Sequence, residues 1–260
     1  MIGWIFCLLA LLPAQSVTKG PELHTEAVEY KHGDVVLEGW LAYEKGATGK
    51  RPGVILVHEW KGHGPYVRMR AEEVAKLGYV AFAIDMYGKG VMAKDHAEAG
   101  QLSGMFRNDR KLMRERAAAG LERLKKVDLV DSKKIAAMGY CFGGTTVLEL
   151  ARGGYEIVAA ASFHGALSSP VASETKAVKA KVAVFHGAGD KSVPPDQVAA
   201  FTDEMTKANA DWFLVSFGGA VHSFTVKEAG DDPSKGQAYD ERADRRSWDM
   251  LKSFLSEAFK

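Results

Sequence analysis

Six short, largely apolar runs, separated by segments with helical periodicity, set the strongest limit on how this chain can fold. Residues 53–57 contain no polar side chain, which is typical of a β-strand covered on both faces. Such strands need helices on each side, and the intervening segments supply them. The alternation predicts a doubly wound α/β fold with a mostly parallel sheet. The predicted central strands are 53–57, 79–84, 134–138, 157–163, 182–185 and 212–217.

The start of the chain predicts an antiparallel hairpin. Residues 27–32 and 35–43 alternate apolar and polar side chains around a His-Gly-Asp turn. The stretch 86–109, rich in glycine and methionine, is expected to form either a lid or a plain surface loop. The predicted helices are 66–77, 106–127, 145–152, 195–208 and an amphipathic closing helix over 238–259.

Length and charge indicate the class of partner. With 260 residues, 47% of them hydrophobic, the chain can bury one substantial core, and we expect a single domain over 17–260. The net charge is +1, so the broad positive field that nucleic acid or an anionic membrane would require is not expected. The predicted partner is therefore a small molecule.

Residues 1–16 predict a secretory signal peptide, with cleavage near Val17 and export to the periplasm or the exterior. Their apolar run, 2–12, is about half of the roughly 20 residues that a membrane span needs. The segment lacks Lys and Arg, so an uncleaved anchor or a misassigned start codon, with a cytoplasmic protein, remain alternatives. Cleavage would leave Cys141 as the only cysteine, which excludes an intramolecular disulfide.

Cys141 lies in a glycine-rich turn between a predicted strand and a predicted helix. The turn, Gly139-Tyr140-Cys141-Phe142-Gly143-Gly144, would present the thiol at its crest, as the G-x-S-x-G nucleophile elbow presents a serine. The same short pattern fits a buried structural cysteine equally well.

Polar groups at other strand ends favour the catalytic interpretation. The carboxyl ends of parallel strands converge on one crevice, and Cys141, Asp190 and His222 all follow predicted strands. Nucleophilic catalysis needs an attacking atom, a base and a group that orients the base. Taken singly, Asp190 could be a turn former and His222 a solvated loop residue. Their order along the chain, nucleophile, acid, histidine, is nevertheless that of α/β-hydrolases.

Five motifs together extend over nearly all of the chain beyond the signal segment. They are His58-Glu59-Trp60-x-Gly62, Asp85-Met86-Tyr87-Gly88, the Cys141 elbow, His186-Gly187-x-x-Asp190 and His222-Ser223-Phe224. With these motifs the chain resembles the dienelactone hydrolase family, the cysteine-nucleophile branch of α/β-hydrolases. The resemblance implies a Cys141-His222-Asp190 triad that hydrolyses esters, lactones or thioesters through an acyl-cysteine.

Further roles follow from the resemblance. It implies that Glu59 holds the resting thiol and moves aside when substrate binds, although an ion pair with Lys61 or Arg68 is an alternative. The backbone amides of Trp60 and Phe142 are predicted to bind the oxyanion. No Walker A or dinucleotide motif is present, so we expect no cofactor. A zinc site at His58 and His63 is less favoured than a role for them as loop residues near the pocket.

Two departures from the family pattern concern the substrate. Dienelactone-cleaving members bind the substrate carboxylate with two arginines, and this chain has Lys89 and Val226 at those positions. We predict that Tyr87 and Lys89 contact substrate, but lysine lacks the planar two-donor fork that suits a carboxylate, which argues against dienelactone itself. The alternatives are an inactive binding protein, a redox or sensing protein that uses Cys141, and a peptidase or acyltransferase with the same triad.

Overall fold

The computed structural model describes residues 20–171, 175 and 178–260. The predicted signal peptide, residues 1–16, lies outside the described residues. Eight strands form one sheet in the order β1-β2-β4-β3-β5-β6-β7-β8. The strands are β1 Leu23–His32, β2 Val35–Glu44, β3 Arg51–Val57, β4 Val80–Ile84, β5 Val130–Tyr140, β6 Ala159–Phe163, β7 Lys181–Gly187 and β8 Trp212–Phe217.

Strands β3 to β8 are parallel to one another, as the apolar runs predict. Every residue of β4 and β6 is buried, because both faces of these strands are covered by helices. The hairpin of β1 and β2 is antiparallel and pairs with β4, which confirms the predicted α/β class with an amino-terminal hairpin.

The helices pack in two layers. Helices α1 and α6 bury side chains such as Val67 and Leu251 in the core on one face of the sheet. Residues of α2 to α5, such as Phe106 and Leu121, belong to the core on the other face. The helices are α1 Pro65–Ala75, α2 His96–Asn108, α3 Arg110–Lys125, α4 Phe142–Arg152, α5 Pro195–Lys207 and α6 Glu241–Ala258. Within the described ranges, none of them has both the length and the apolar character to cross a membrane.

The prediction of a single helix over 106–127 is wrong, because the helix is interrupted at Asp109. This residue has φ −127° and ψ 89°, and its carboxylate accepts a hydrogen bond from Leu112 N at 2.9 Å, which caps α3. Asp95 caps α2 in the same way through Glu98 N. Much of the stretch expected to be a lid or loop is therefore helix α2.

Candidate active site

The turn after β5 holds Cys141 in a conformation that few L-residues adopt. Cys141 has φ 53°, and its amide donates to Phe163 O of the neighbouring strand at 3.0 Å. A Cβ on Gly139 would lie 2.3 Å from Gly143 O, and one on Gly143 would lie 2.1 Å from Val57 O. Both glycines are therefore needed for the close approach of strand, turn and helix, which is the backbone of a nucleophile elbow.

The structure brings together the three residues that the strand ends suggested. His222 Nε2 lies 3.2 Å from Cys141 Sγ, and His222 Nδ1 lies 2.7 Å from Asp190 Oδ2. The other Asp190 oxygen accepts a hydrogen bond from Ser192 N at 2.8 Å, which fixes the buried carboxylate. The imidazole thus connects thiol and carboxylate in the geometry of a nucleophile, base and orienting acid.

His222 and Asp190 each stabilise the charged form of the other. Burial by itself would lower the pKa of His222, but the hydrogen bonds with Asp190 and Cys141 outweigh it and raise that pKa to about 10. Burial would raise the pKa of Asp190, yet its bonds with His222 and Ser192 bring it below the ordinary value. His222 is therefore suited to hold the proton that a nucleophilic thiol gives up.

His164 is a neighbour of the site that the sequence analysis missed. It follows β6, has φ 39°, and is fully buried, with its ring centroid 5.1 Å from that of His222. Its Nε2 lies 2.9 Å from Thr225 Oγ1, which also accepts from Tyr66 OH at 2.7 Å. Burial, followed by the nearby His222, holds the pKa of His164 well below its usual range, so His164 stays neutral. Its position at a strand end, before a glycine, was the available signal.

Glu59 does not hold the thiol in this structure. Cys141 Sγ pairs with His222, and no side-chain hydrogen bond within the described residues involves the Glu59 carboxyl. Burial raises the pKa of Glu59 to about 7, although His222 and Lys61 favour its ionised form. Glu59 can therefore change charge near neutral pH, close to the imidazole of His222.

The two predicted oxyanion donors are the backbone amides of Phe142 and Trp60. Phe142 is the first residue of α4, where an amide has no partner within its own helix. Trp60 is held by Tyr87, whose hydroxyl donates to Trp60 O at 2.9 Å. Among the hydrogen bonds of the described chain, neither amide donates to another group.

Two cavities meet at this edge of the sheet. The Cys141 cavity, about 520 Å³, is lined by Cys141 and His222 together with Arg107 and Arg110 from the junction of α2 and α3. The Glu59 cavity, about 330 Å³, is lined by Glu59, Tyr66, Met92 and Glu228, among others. Trp60 and Gln237 line both cavities, which therefore adjoin at these two residues.

Tyr87 and Lys89 are placed differently from the expectation that they contact substrate. Lys89 Nζ pairs with Glu29 and lies 3.5 Å from Glu38, so the β1-β2 hairpin holds it outside the lining of both cavities as formed by the described residues. The hydroxyl of Tyr87 donates to Trp60 O at 2.9 Å, so Tyr87 supports the loop that follows β3.

Three of the four ring nitrogens of His58 and His63 contact the backbone, and the fourth, His63 Nδ1, lies 3.4 Å from the guanidinium of Arg68. His58 Nδ1 lies 2.6 Å from Glu59 O, and His58 Nε2 accepts from Met86 N at 3.2 Å. His63 Nε2 lies 3.0 Å from Ala83 O. These contacts tie the loop after β3 to the end of β4 and agree with a structural role for both histidines.

Comparison with known proteins extends these observations. The model of the dienelactone hydrolase family matches residues 37–259. A protein of Aquifex aeolicus named as a carboxymethylenebutenolidase is 28% identical over 237 residues, covering 88% of this chain and 97% of that protein.

Two solved structures are similar as well. The crystal structure of a dienelactone hydrolase-like promiscuous phosphotriesterase from metagenomic libraries has a TM-score of 0.87 at 36% identity, covering 92% of this chain and 99% of that chain. The structure of dienelactone hydrolase from Anabaena variabilis, at 20% identity and a TM-score of 0.66, shares the fold over 92% of this chain and 99% of that chain. The chain therefore belongs to the dienelactone hydrolase family of hydrolases and has the α/β-hydrolase fold.

Proposed function

We propose that this protein hydrolyses small esters, lactones or thioesters through an acyl-cysteine formed on Cys141. The observation that carries the proposal is the pair of contacts made by His222, 3.2 Å to Cys141 Sγ and 2.7 Å to Asp190 Oδ2. Membership of the dienelactone hydrolase family supports the same reaction class.

In the first half of the reaction, Cys141 Sγ attacks the carbonyl carbon and its proton passes to His222 Nε2. Asp190 accepts from Nδ1–H and stabilises the imidazolium. The carbonyl oxygen becomes an oxyanion, which the amides of Trp60 and Phe142 bind. The intermediate then collapses, the bond to the leaving oxygen or sulfur breaks, and His222 donates its proton to the leaving group.

In the second half, water attacks the acyl-cysteine. His222 takes a proton from the water, the tetrahedral intermediate forms in the same oxyanion site, and the C–S bond breaks. The acid is released and the thiol is regenerated with the proton from His222. No metal or cofactor is needed for either half.

We also propose a gating role for Glu59. Burial raises the pKa of its carboxyl to about 7, so that it gains charge near neutral pH beside His222. An alternative position of the Cys141 side chain, turned towards Glu59, would hold the thiol in a resting state. If this is right, Glu59→Gln changes the pH profile of Cys141 alkylation, and an unchanged profile rules the gate out.

Export is a separate proposal that rests on the sequence of residues 1–16. We propose that they direct secretion and that the mature chain, from about Val17, forms one α/β-hydrolase domain outside the cytoplasm. Cell fractionation with amino-terminal sequencing tests this. An intact Met1 on a cytoplasmic protein contradicts it.

The decisive experiment is a panel of ester, lactone and thioester substrates on purified protein beside Cys141→Ala. A neutral phosphotriester belongs in the panel, because the chain is 36% identical to a protein described as a promiscuous phosphotriesterase. We expect turnover that Cys141→Ala abolishes, and a mass increase equal to the acyl group on quenched wild-type protein. Activity that survives the substitution refutes the mechanism, and absence of activity throughout favours the binding-protein alternative.

A further inference from the structure

The loop that carries His222 is anchored at Thr225, a buried residue three positions further along the chain. The carbonyl oxygen of Thr225 accepts hydrogen bonds from Arg70 Nη2 at 3.1 Å and from Tyr66 OH at 3.2 Å. Between His222 and Thr225, Ser223 has φ 58°, a left-handed conformation that a non-glycine residue keeps only where its surroundings enforce it. Helix α1 therefore fixes the backbone just beyond His222.

The hydroxyl of Thr225 is one link in a directed chain of hydrogen bonds. Arg70 Nε donates to the Tyr66 oxygen at 3.2 Å, and Tyr66 donates its own proton to Thr225 Oγ1 at 2.7 Å. Among the described residues, the other hydrogen-bond partner of Thr225 Oγ1 is His164 Nε2, at 2.9 Å. The Thr225 proton is therefore available to His164 Nε2.

The count of partners favours one tautomer of His164. If Nε2 accepts from Thr225, the ring proton is on Nδ1, and Nδ1–H is the one group left without a partner in the described chain. The opposite tautomer would leave two such groups, the Thr225 proton and Nδ1. Since an unpaired buried polar group is costly, the first arrangement is the more stable.

His164 connects this chain of hydrogen bonds to the triad. Its ring meets that of His222 edge to face, with centroids 5.1 Å apart and an angle of 67° between the planes. It meets Phe224 in the same way, at 5.3 Å and 82°. The backbone of His164 is held by its amide, which donates to Phe185 O at 2.9 Å, and the ring is held by Thr225. One side of His222 thus packs against a ring that is fixed at both ends.

The position of His164 requires a ring without charge. Burial, followed by the charges of His222 and Arg70, holds the pKa of His164 well below its usual range. A second cation at this distance would destabilise the imidazolium that forms on His222 when the thiol gives up its proton. A neutral histidine supplies an uncharged ring that also accepts a hydrogen bond.

We propose that His164 and Thr225 are positioning residues, and that the hydrogen bond donated by Thr225 to His164 Nε2 holds the His222 imidazole in its orientation towards the thiol. Neither residue lines the Cys141 cavity or the Glu59 cavity as the described residues form them, so both act through His222 and not on substrate. The proposal rests on the hydrolase function proposed above. Loss of this hydrogen bond is expected to lower kcat and to leave KM nearly unchanged.

Thr225→Val tests the hydrogen bond, because it removes the hydroxyl and nearly keeps the shape of the side chain. Small displacements of reacting groups cost up to about 100-fold, so we expect kcat for 4-nitrophenyl acetate to fall about tenfold or more, with KM within about twofold. Thr225→Ser retains the hydroxyl and should keep kcat within about threefold of wild type. An unchanged kcat in folded Thr225→Val, or equal losses in both variants, overturns the proposal.

Ser103→Ala is the control for the loss of a buried hydroxyl elsewhere. Ser103 Oγ donates to Ala99 O at 2.8 Å within helix α2, and Ser103 lines neither cavity of the described chain. Both kinetic constants should stay at their wild-type values. A loss of kcat equal to that of Thr225→Val would show a general effect of lost stability and would overturn the proposal.

A double variant tests whether the two residues act through one hydrogen bond. His164→Phe keeps an uncharged ring and removes the acceptor, so it should lower kcat as Thr225→Val does. In His164→Phe/Thr225→Val we expect kcat close to that of the single variants, because each of them already breaks the same bond. Losses that multiply in the double variant would contradict the shared role.

Alkylation of Cys141 by iodoacetamide separates failure of the positioning role from failure of the function. The thiolate is the reactive form, so displacement of His222 in Thr225→Val should slow alkylation near neutral pH about tenfold, and Thr225→Ser should not. Alkylation slowed in this way, without turnover of any ester, refutes the hydrolase alone. Ester turnover with kcat and alkylation both unchanged in Thr225→Val refutes the positioning role alone.

Nitrogen NMR of the wild-type protein provides a test in case the variants do not fold. We expect the His164 ring to be neutral near physiological pH, with its proton on Nδ1, because Nε2 accepts from Thr225. A proton on Nε2 would reverse the hydrogen bond with Thr225 and overturn the proposal.

Discussion

The raised pKa of Glu59 makes a quantitative prediction about stability. The carboxyl has a pKa of about 7 in the folded protein, against an ordinary value of 4.5. Between these values the folded state holds a proton that the unfolded state has lost, so stability falls as the pH rises. A difference of about 2.5 pKa units, at about 1.4 kcal/mol per unit, sets a ceiling of about 3.5 kcal/mol on the loss of stability. The destabilisation is absent well below pH 4.5 and complete above pH 7.

Glu59→Gln removes the titration and should therefore stabilise the protein at high pH. We expect Glu59→Gln to raise the free energy of unfolding relative to wild type by about 2 kcal/mol more at pH 8.5 than at pH 5. Urea unfolding of both proteins at the two pH values, with reductant to protect Cys141, measures this difference. Glu228→Gln is the matched control, since it lines the same cavity but is exposed, and we expect a change below about 0.5 kcal/mol. A pH-independent effect of Glu59→Gln would refute the assignment of a raised pKa to this half-buried carboxyl.

Two further predictions concern the triad and the elbow. Asp190→Asn removes the 2.7 Å charge-assisted hydrogen bond to His222, so we expect the pKa of His222 to fall and kcat/KM to drop at least about 100-fold. A pH–rate profile, with Asp190→Glu as the control, measures both effects. Wild-type activity in Asp190→Asn would exclude the orienting role. Gly143→Ala places a Cβ 2.1 Å from Val57 O and should lower the free energy of unfolding by more than about 2 kcal/mol. Gly104 lies in helix α2, where an added Cβ would meet no atom within 4 Å, so Gly104→Ala should stabilise the protein by up to about 1 kcal/mol. Equal effects of the two substitutions in thermal unfolding would contradict the close packing of the elbow.

The central sheet and the triad were accessible from the sequence, for related reasons. A strand covered on both faces must be apolar throughout, so runs such as 53–57 mark it without knowledge of any partner. The carboxyl ends of parallel strands converge, so Cys141, Asp190 and His222 could be grouped by their place after strands.

What the sequence did not reveal depends on contacts between distant segments. Helix α2 was missed because Gly100 and Gly104 lower its helical propensity, while the Asp95 cap and the burial of Phe106 compensate. Lys89 was predicted to contact substrate because it stands where the family has an arginine, and its pairing with Glu29 and Glu38, 60 and 51 residues earlier in the chain, could not be foreseen.

Trp60 combines two roles that belong to different parts of one residue. Its backbone amide is the oxyanion donor that we propose, whereas the residue also lines both cavities. We expect a substitution that shortens this side chain to enlarge the space where the cavities adjoin and to leave the peptide group in place, because Tyr87 donates to Trp60 O at 2.9 Å. We therefore expect a substitution at position 60 to change the size of substrate that the protein accepts while the proposed oxyanion donor is retained.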